Sequence, residues 1–110
     1  MAIRTDLEAV NRKVTDSMKR YYGNRLANIV LYGSYARGDF DEESDIDYLI
    51  ALYDEKVSSF TEVKHTSPLL SDLRSTIRAY VSAVVVSKQQ LITSTKPFFK
   101  EVRKDGLYIV

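Results

Sequence analysis

Apolar side chains recur at Ile3, Leu7, Val10, Val14, Met18 and Tyr21, at steps of three and four that align them on one face of a helix. Thr5-Asp-Leu-Glu8 has the form of a capping box, so the spacing predicts a helix over 5–22 with Gly23-Asn24 as its stop. The period then shortens. Asn28 to Tyr32 reads as a strand broken by Gly33-Ser34, and Ser34 to Ser44 as a turn or short helix followed by a loop. Ile46 to Tyr53 is apolar on both faces, which predicts a central strand. Asp54 to Thr66 reads as a loop holding one helical turn around Phe60. Ser67-Pro68 offers an N-cap followed by a proline at the first helical position, and Leu69, Leu70, Leu73 and Ile77 make one face of the helix that follows. Tyr80 to Val86 is rich in β-branched residues and reads as a third strand. Short helices are expected from Ser87 and over Pro97 to Lys104. Asp105-Gly106 leads into a last strand, Leu107 to Val110. The order is α-β-β-α-β-α-α-β.

Composition narrows the chemistry. The 110 residues suit a single domain, 1–110, and 45% hydrophobic with 28% charged content is ordinary for a globular chain. No apolar run approaches the roughly 20 residues of a membrane span, and the N-terminus shows no signal-peptide pattern, so a cytoplasmic protein is expected. With no cysteine and one histidine, disulfides, thiolate metal sites and cysteine nucleophiles are excluded, and a Ser-His-Asp triad would have to use His65. Any metal must be held mainly by oxygen. His65 itself lies in a polar stretch and is expected to be exposed.

The net charge of +1 conceals an asymmetry. Residues 39–55 carry eight acidic and no basic side chains, whereas the flanking segments are both net basic. No broad basic face emerges, so direct binding to nucleic acid is not expected.

The informative stretch, Gly33-Ser34-Tyr-Ala-Arg37-Gly38 leading to Ser44-Asp45-Ile-Asp47, runs into the acidic segment. Gly33 and Gly38 have Walker-A spacing, but Asp39-Phe40 stands where lysine and a hydroxyl residue belong. An EF-hand loop from Asp39 would need glycine at 44 and glutamate at 50, which are Ser44 and Ile50. A nucleophile elbow needs a residue between glycine and serine. What remains is Gly-Ser, ten residues, then Asp-x-Asp. A strand ending in Gly33-Ser34 presents backbone N–H groups and a hydroxyl, a suitable cradle for phosphates. Asp45 and Asp47, two apart on a strand, point to the same face and can supply oxygen ligands to Mg²⁺. Arg37 is the nearest basic residue, placed to contact phosphate or to pair with the acidic loop.

That pattern is the signature of the nucleotidyltransferases that share a catalytic core with DNA polymerase beta, and the chain resembles them. Its length and its ending, Lys96-Pro-Phe-Phe-Lys-Glu-Val-Arg-Lys-Asp-Gly106-Leu-Tyr-Ile, are similar to the minimal nucleotidyltransferases, or MNT proteins, often found beside a helical HEPN-domain partner. The resemblance implies an α+β fold, a small mixed sheet flanked by helices. It implies Mg²⁺-dependent transfer of a nucleoside monophosphate, AMP from ATP, to a protein acceptor. The role implied is that of an antitoxin silencing a HEPN ribonuclease toxin within a hetero-oligomer. Gly33, Ser34 and Arg37 would bind the phosphates, and Asp45 and Asp47 would be the catalytic metal ligands. One departure stands out. The family's third carboxylate comes from the later strand, and Tyr80 to Val86 contains no acid. Strand alternation maps that position to Ser82, or to Tyr80 if the register slips by two. Asp54 and Asp72 are the other acids that could substitute. A relative that neutralises its partner by binding alone is the alternative this departure leaves open.

Overall fold

Helix α1 spans Leu7–Tyr22 and buries Val10, Val14, Met18 and Tyr22, the stripe anticipated from the spacing except at its last member. The computed structural model describes residues 7–41, 43–76 and 80–110; Ile3, the Thr5 cap and Ile77 lie outside them. A 3-10 turn at Gly23–Arg25 leads into β1, Leu26–Tyr32. Helix α2 is a single turn, Ser34–Arg37, followed by β2, Ile46–Leu52. Helix α3, Ser59–Thr76, carries the chain to β3, Val81–Ser87. Helices α4, Lys88–Thr93, and α5, Pro97–Asp105, precede the short β4, Leu107–Tyr108.

The strands form one mixed sheet in the order β3-β2-β1-β4. β1 runs antiparallel to β2 and β4, and β2 runs parallel to β3. A parallel pair needs a long crossover, which α3 supplies. β2 is central, as its two apolar faces predicted. One face of the sheet presents Ile29, Leu31, Ile46, Tyr48, Ile50, Leu52, Val81 and Val85 to α1 and α3. The other presents Val30, Leu49, Ala51 and Val86 to Leu91 of α4 and to Phe99 and Val102 of α5. No helix among the described residues is long and apolar enough to cross a membrane.

Three local expectations are corrected. Helix α3 begins at Ser59, eight residues before Ser67-Pro68. The Ser58 hydroxyl accepts the Thr61 N–H at 3.2 Å and caps that earlier start. Thr66, Leu70 and Leu73 then continue one buried face. Pro68 sits inside the helix, where it removes the bond to the Lys64 carbonyl; both residues are exposed, so that carbonyl lies on the wet side. At the end of α1, Tyr22 is buried and Tyr21 is 45% exposed, because the buried positions advance by four and Tyr22 donates to Glu62 of α3 at 2.7 Å. β4 is two residues long. Beyond it, Ile109 and Val110 still donate to the Ile29 carbonyl, so the chain stays against β1.

Two phenols in the larger core set an alkaline limit. Burial, reinforced by the Glu62 carboxylate, raises the Tyr22 pKa, and burial raises that of Tyr48, whose hydroxyl donates to Asn11. The folded state holds these protons more tightly than the unfolded chain. Their contribution is therefore complete below the ordinary phenol pKa of about 10 and is lost as pH climbs beyond it. Urea midpoints should be level from pH 8 to 9.5 and fall at pH 11. Tyr48→Phe should lessen the fall, and an equal fall in that variant would show that these phenols are not its cause.

Candidate functional site

The sheet's register builds the site as one row. Val30 of β1 lies opposite Leu49 of β2, and Leu49 opposite Val84 of β3; this apolar row lies against α4 and α5. Two residues along each strand, on the same face, the row becomes Tyr32, Asp47 and Ser82. Polar side chains take over beside the covered core, and Asp47 is partly buried there. Asp45 stands two residues before Asp47, just outside β2, and is exposed.

Two contacts define Asp47. Its Oδ1 accepts a hydrogen bond from the Ser82 hydroxyl at 2.7 Å. Its Oδ2 lies against Gly33, where a Cβ would sit only 2.7 Å from that oxygen. Gly33 also has φ +78° and ψ −156°, a conformation close to glycine-only. Position 33 is therefore glycine for two separate reasons. Gly33 precedes α2, and its carbonyl accepts the N–H groups of Ala36 and Arg37. The N–H groups of the first helical residues, Ser34 and Tyr35, have no intrahelical acceptor, so they are the donors available to an anion. The structure thus brings together Gly33, Asp47 and Ser82, with Ser34 adjoining, from three elements far apart in sequence.

Of the other expected residues, some border this row and some lie well away from it. Arg37 pairs with Asp39 at 3.2 Å on the exposed rim, an ion pair that contributes little to stability. Tyr35 is buried and stacks on Phe40 at 4.2 Å, serving as packing beneath the turn. The loop entering β2 is tied by Asp41, whose carboxylate accepts from the Glu43 N–H and the Ser44 hydroxyl at 2.9 and 3.2 Å. His65 is exposed as expected and lies 3.5 Å from Glu62. Asp54 is past the far end of β2, paired with Arg25 at 2.8 Å. It lies seven positions beyond Asp47, about 20 Å along extended chain. Asp72 lines a groove between α1 and α3, the helices on the opposite face of the sheet. Neither acid joins Asp45 and Asp47.

Tyr32, at the end of β1, joins the row by its pairing with Asp47 across β1 and β2, a register that the sequence of β1 alone does not fix. Its ring meets Phe98 edge-on at 5.3 Å. Burial first, and the Asp47 charge second, push its phenol up to about 12, so it stays protonated near neutral pH. Tyr32 and Gly33 also border a cleft of about 200 Å³, walled by Phe98 and Val102 of α5 and rimmed by Arg37, Glu101 and Asp105.

Mg²⁺ fits this donor set. It favours oxygen ligands and is commonly held by one or two carboxylates with phosphate oxygens and water, which Asp45, Asp47 and a bound nucleotide would provide. Among the described residues no three His, Cys, Asp or Glu side chains cluster as a metal site.

A glycine–serine turn beside a strand aspartate, on a mixed sheet with helices on both faces, is the arrangement expected of a nucleotidyltransferase domain. The chain belongs to the nucleotidyltransferase domain family, whose model matches residues 11–106. It is similar to two candidate protein adenylyltransferases of Methanocaldococcus jannaschii. With MJ0604 it shares 49% identity over 43 residues, 39% of this chain and 43% of that protein. With MJ1379 it shares 27% over 113 residues, 99% of this chain and 100% of that protein. The chain thus spans less than half the length of the first relative and all of the second. Among solved structures, a toxin–antitoxin with AMP-PNP superposes with a TM-score of 0.66 at 22% identity, covering 91% of this chain and 72% of that one. A complex of tri-AMPylated Shewanella oneidensis HEPN toxin with MNT antitoxin gives 0.60 at 19% identity, covering 94% and 72%. The α+β fold expected from the motif is the fold these neighbours share.

Proposed function

We propose that the chain transfers AMP from ATP to a hydroxyl group of a protein partner, and that the partner is a helical HEPN-family toxin silenced by the modification. The observation that supports this most is the meeting of Gly33 with Asp47, which sets the turn suited to cradle phosphates against the strand whose aspartate is suited to ligate a metal. The family match and the names of the relatives point the same way. Gly33 and Ser34 hold the phosphates, with Arg37 available once it leaves Asp39. Asp45 and Asp47 would hold Mg²⁺ alongside the nucleotide, and the metal when bound would neutralise charge on the departing pyrophosphate. The acceptor oxygen forms a bond to the α-phosphorus, the bond from that phosphorus to the bridging oxygen breaks, pyrophosphate leaves, and the hydroxyl proton passes to solvent. Tyr32 packs beside Asp47 at the edge of the cleft lined by α5.

Co-expression with the helical partner followed by size-exclusion chromatography should give one complex, and α-labelled ATP should leave label on the partner. Separate elution at micromolar concentration, with no label transferred, would refute the proposal. A second reading has its own support: Ser82 stands where a third carboxylate is expected. A carboxyl group acting as general base contributes about 10²–10⁴-fold, so a weak enzyme could still neutralise by binding. The pair Asp45→Asn with Asp47→Asn separates the two readings. Loss of neutralisation supports transfer, and full neutralisation without transfer supports binding alone.

A further inference from the structure

The Ser82 hydroxyl stands where a carboxylate is expected, and it is engaged. It donates to Asp47 Oδ1 at 2.7 Å while Oδ2 rests against Gly33. The carboxylate is clamped from both sides, by β3 and by the turn after β1. Hydrogen bonds to an ionised group are stronger than neutral ones, so Ser82 fixes the side-chain orientation of a residue that must be ionised to bind a cation. Two-ion phosphoryl-transfer sites hold their cations about 3.5–4 Å apart and need anionic oxygen for both. In this row position 82 is the one that faces Asp47 across the parallel pair, and it contributes a neutral hydroxyl already committed as a donor. Asp54 is held by Arg25, Asp72 lies beside helices on the other face, and among the described residues no third acidic or imidazole ligand joins the two aspartates.

We infer that Ser82 is a positioning residue that orients Asp47 for a single divalent cation arriving with the nucleotide, and that the side chain at position 82 sets the number of ions the site holds. This rests on the nucleotidyltransferase reading above and adds the ion count and the residue that determines it. It also means that the acceptor hydroxyl loses its proton without a carboxylate from β3.

The test is cation binding, read without turnover. Mn²⁺ is titrated into the protein saturated with α,β-methylene ATP, and free Mn²⁺ is followed by electron paramagnetic resonance. The wild type should saturate at one ion per complex and Ser82→Asp at two. Ser82→Ala should keep one ion but bind it about tenfold more weakly, the effect of losing a hydrogen bond to a charged group. Ser82→Thr, which keeps the hydroxyl, should restore the affinity. Thermal melts of each variant establish that it is folded. Two ions in the wild type, one ion in folded Ser82→Asp, or unchanged affinity in Ser82→Ala would each overturn the inference. Displacement of a fluorescent ATP analogue reads nucleotide binding separately. Its failure in the wild type would remove the nucleotidyltransferase reading together with the inference, whereas bound nucleotide accompanied by two ions would remove the inference alone.

Discussion

Asp47→Asn should lower AMP transfer on the order of 10³-fold while leaving the fold intact. The asparagine keeps the side chain's shape, and its carbonyl oxygen can still accept from Ser82, which donates at 2.7 Å in the wild type. What disappears is the negative charge, and with it the proposed cation ligand. Metal-assisted stabilisation of departing phosphate is worth several kcal/mol, and about 1.4 kcal/mol corresponds to each factor of ten. The Mg²⁺ dependence of ATP binding should vanish together with the rate. Label transfer from ATP, calorimetric ATP affinity with and without Mg²⁺, and a thermal melt make the set of measurements. Transfer at the wild-type rate, or equal wild-type ATP affinity with and without Mg²⁺, would show that Asp47 is not a ligand.

Gly33→Ala should cost both stability and about 10²-fold in rate, for reasons that can be separated. The left-handed φ of +78° strains any other residue, at about 1–3 kcal/mol. The added Cβ would also press on Asp47 Oδ2 from 2.7 Å, and misplacing a reacting group by about an ångström can cost 10²-fold. Gly23→Ala isolates the first effect. Gly23 has φ +57° and nothing within 4 Å of where its Cβ would sit, so it should lower the melting temperature without touching transfer. If the two variants lost equal activity, the contact between Gly33 and the carboxylate would have no functional weight.

Much of this architecture could be read from residue order, because local rules and the final packing agree. The helical stripe through Val10, Val14 and Met18 is the buried one. Ile46 to Leu52 is apolar on both faces and becomes the central strand. Where two local signals competed, sequence was a poorer guide. Ser67-Pro68 looks like a start, but Ser58 caps the helix first, and the buried run through Thr66, Leu70 and Leu73 carries it past the proline. The site shows the same division. Gly33, Ser34, Asp45 and Asp47 declare themselves through spacing. Alternation alone leaves Ser82 and Tyr80 on the same face of the strand, and choosing between them takes the pairing of Asp47 with Ser82 across β2 and β3. Tyr32 enters the site by register with Asp47, a relation that no local signal in β1 records.

The parallel pairing of β2 with β3 also orders events in time. The hydrogen bond that clamps Asp47 spans 35 residues, most of them in α3 and its connections. Closing so long a loop is entropically costly, and pairings of this kind form late relative to local helices and hairpins. A chain emerging from synthesis would expose Asp45 and Asp47 before β3 existed to brace them. Until the crossover closes, Asp47 lies on a strand with a free edge and Asp45 just ahead of it. If Asp47 ligates a cation as proposed, cation binding and completion of the sheet are coupled: an ion that prefers the clamped Asp47 would pull β3 into place, and a chain cut before Val81 retains both aspartates and the Gly33 contact but not the Ser82 hydroxyl that donates to Asp47.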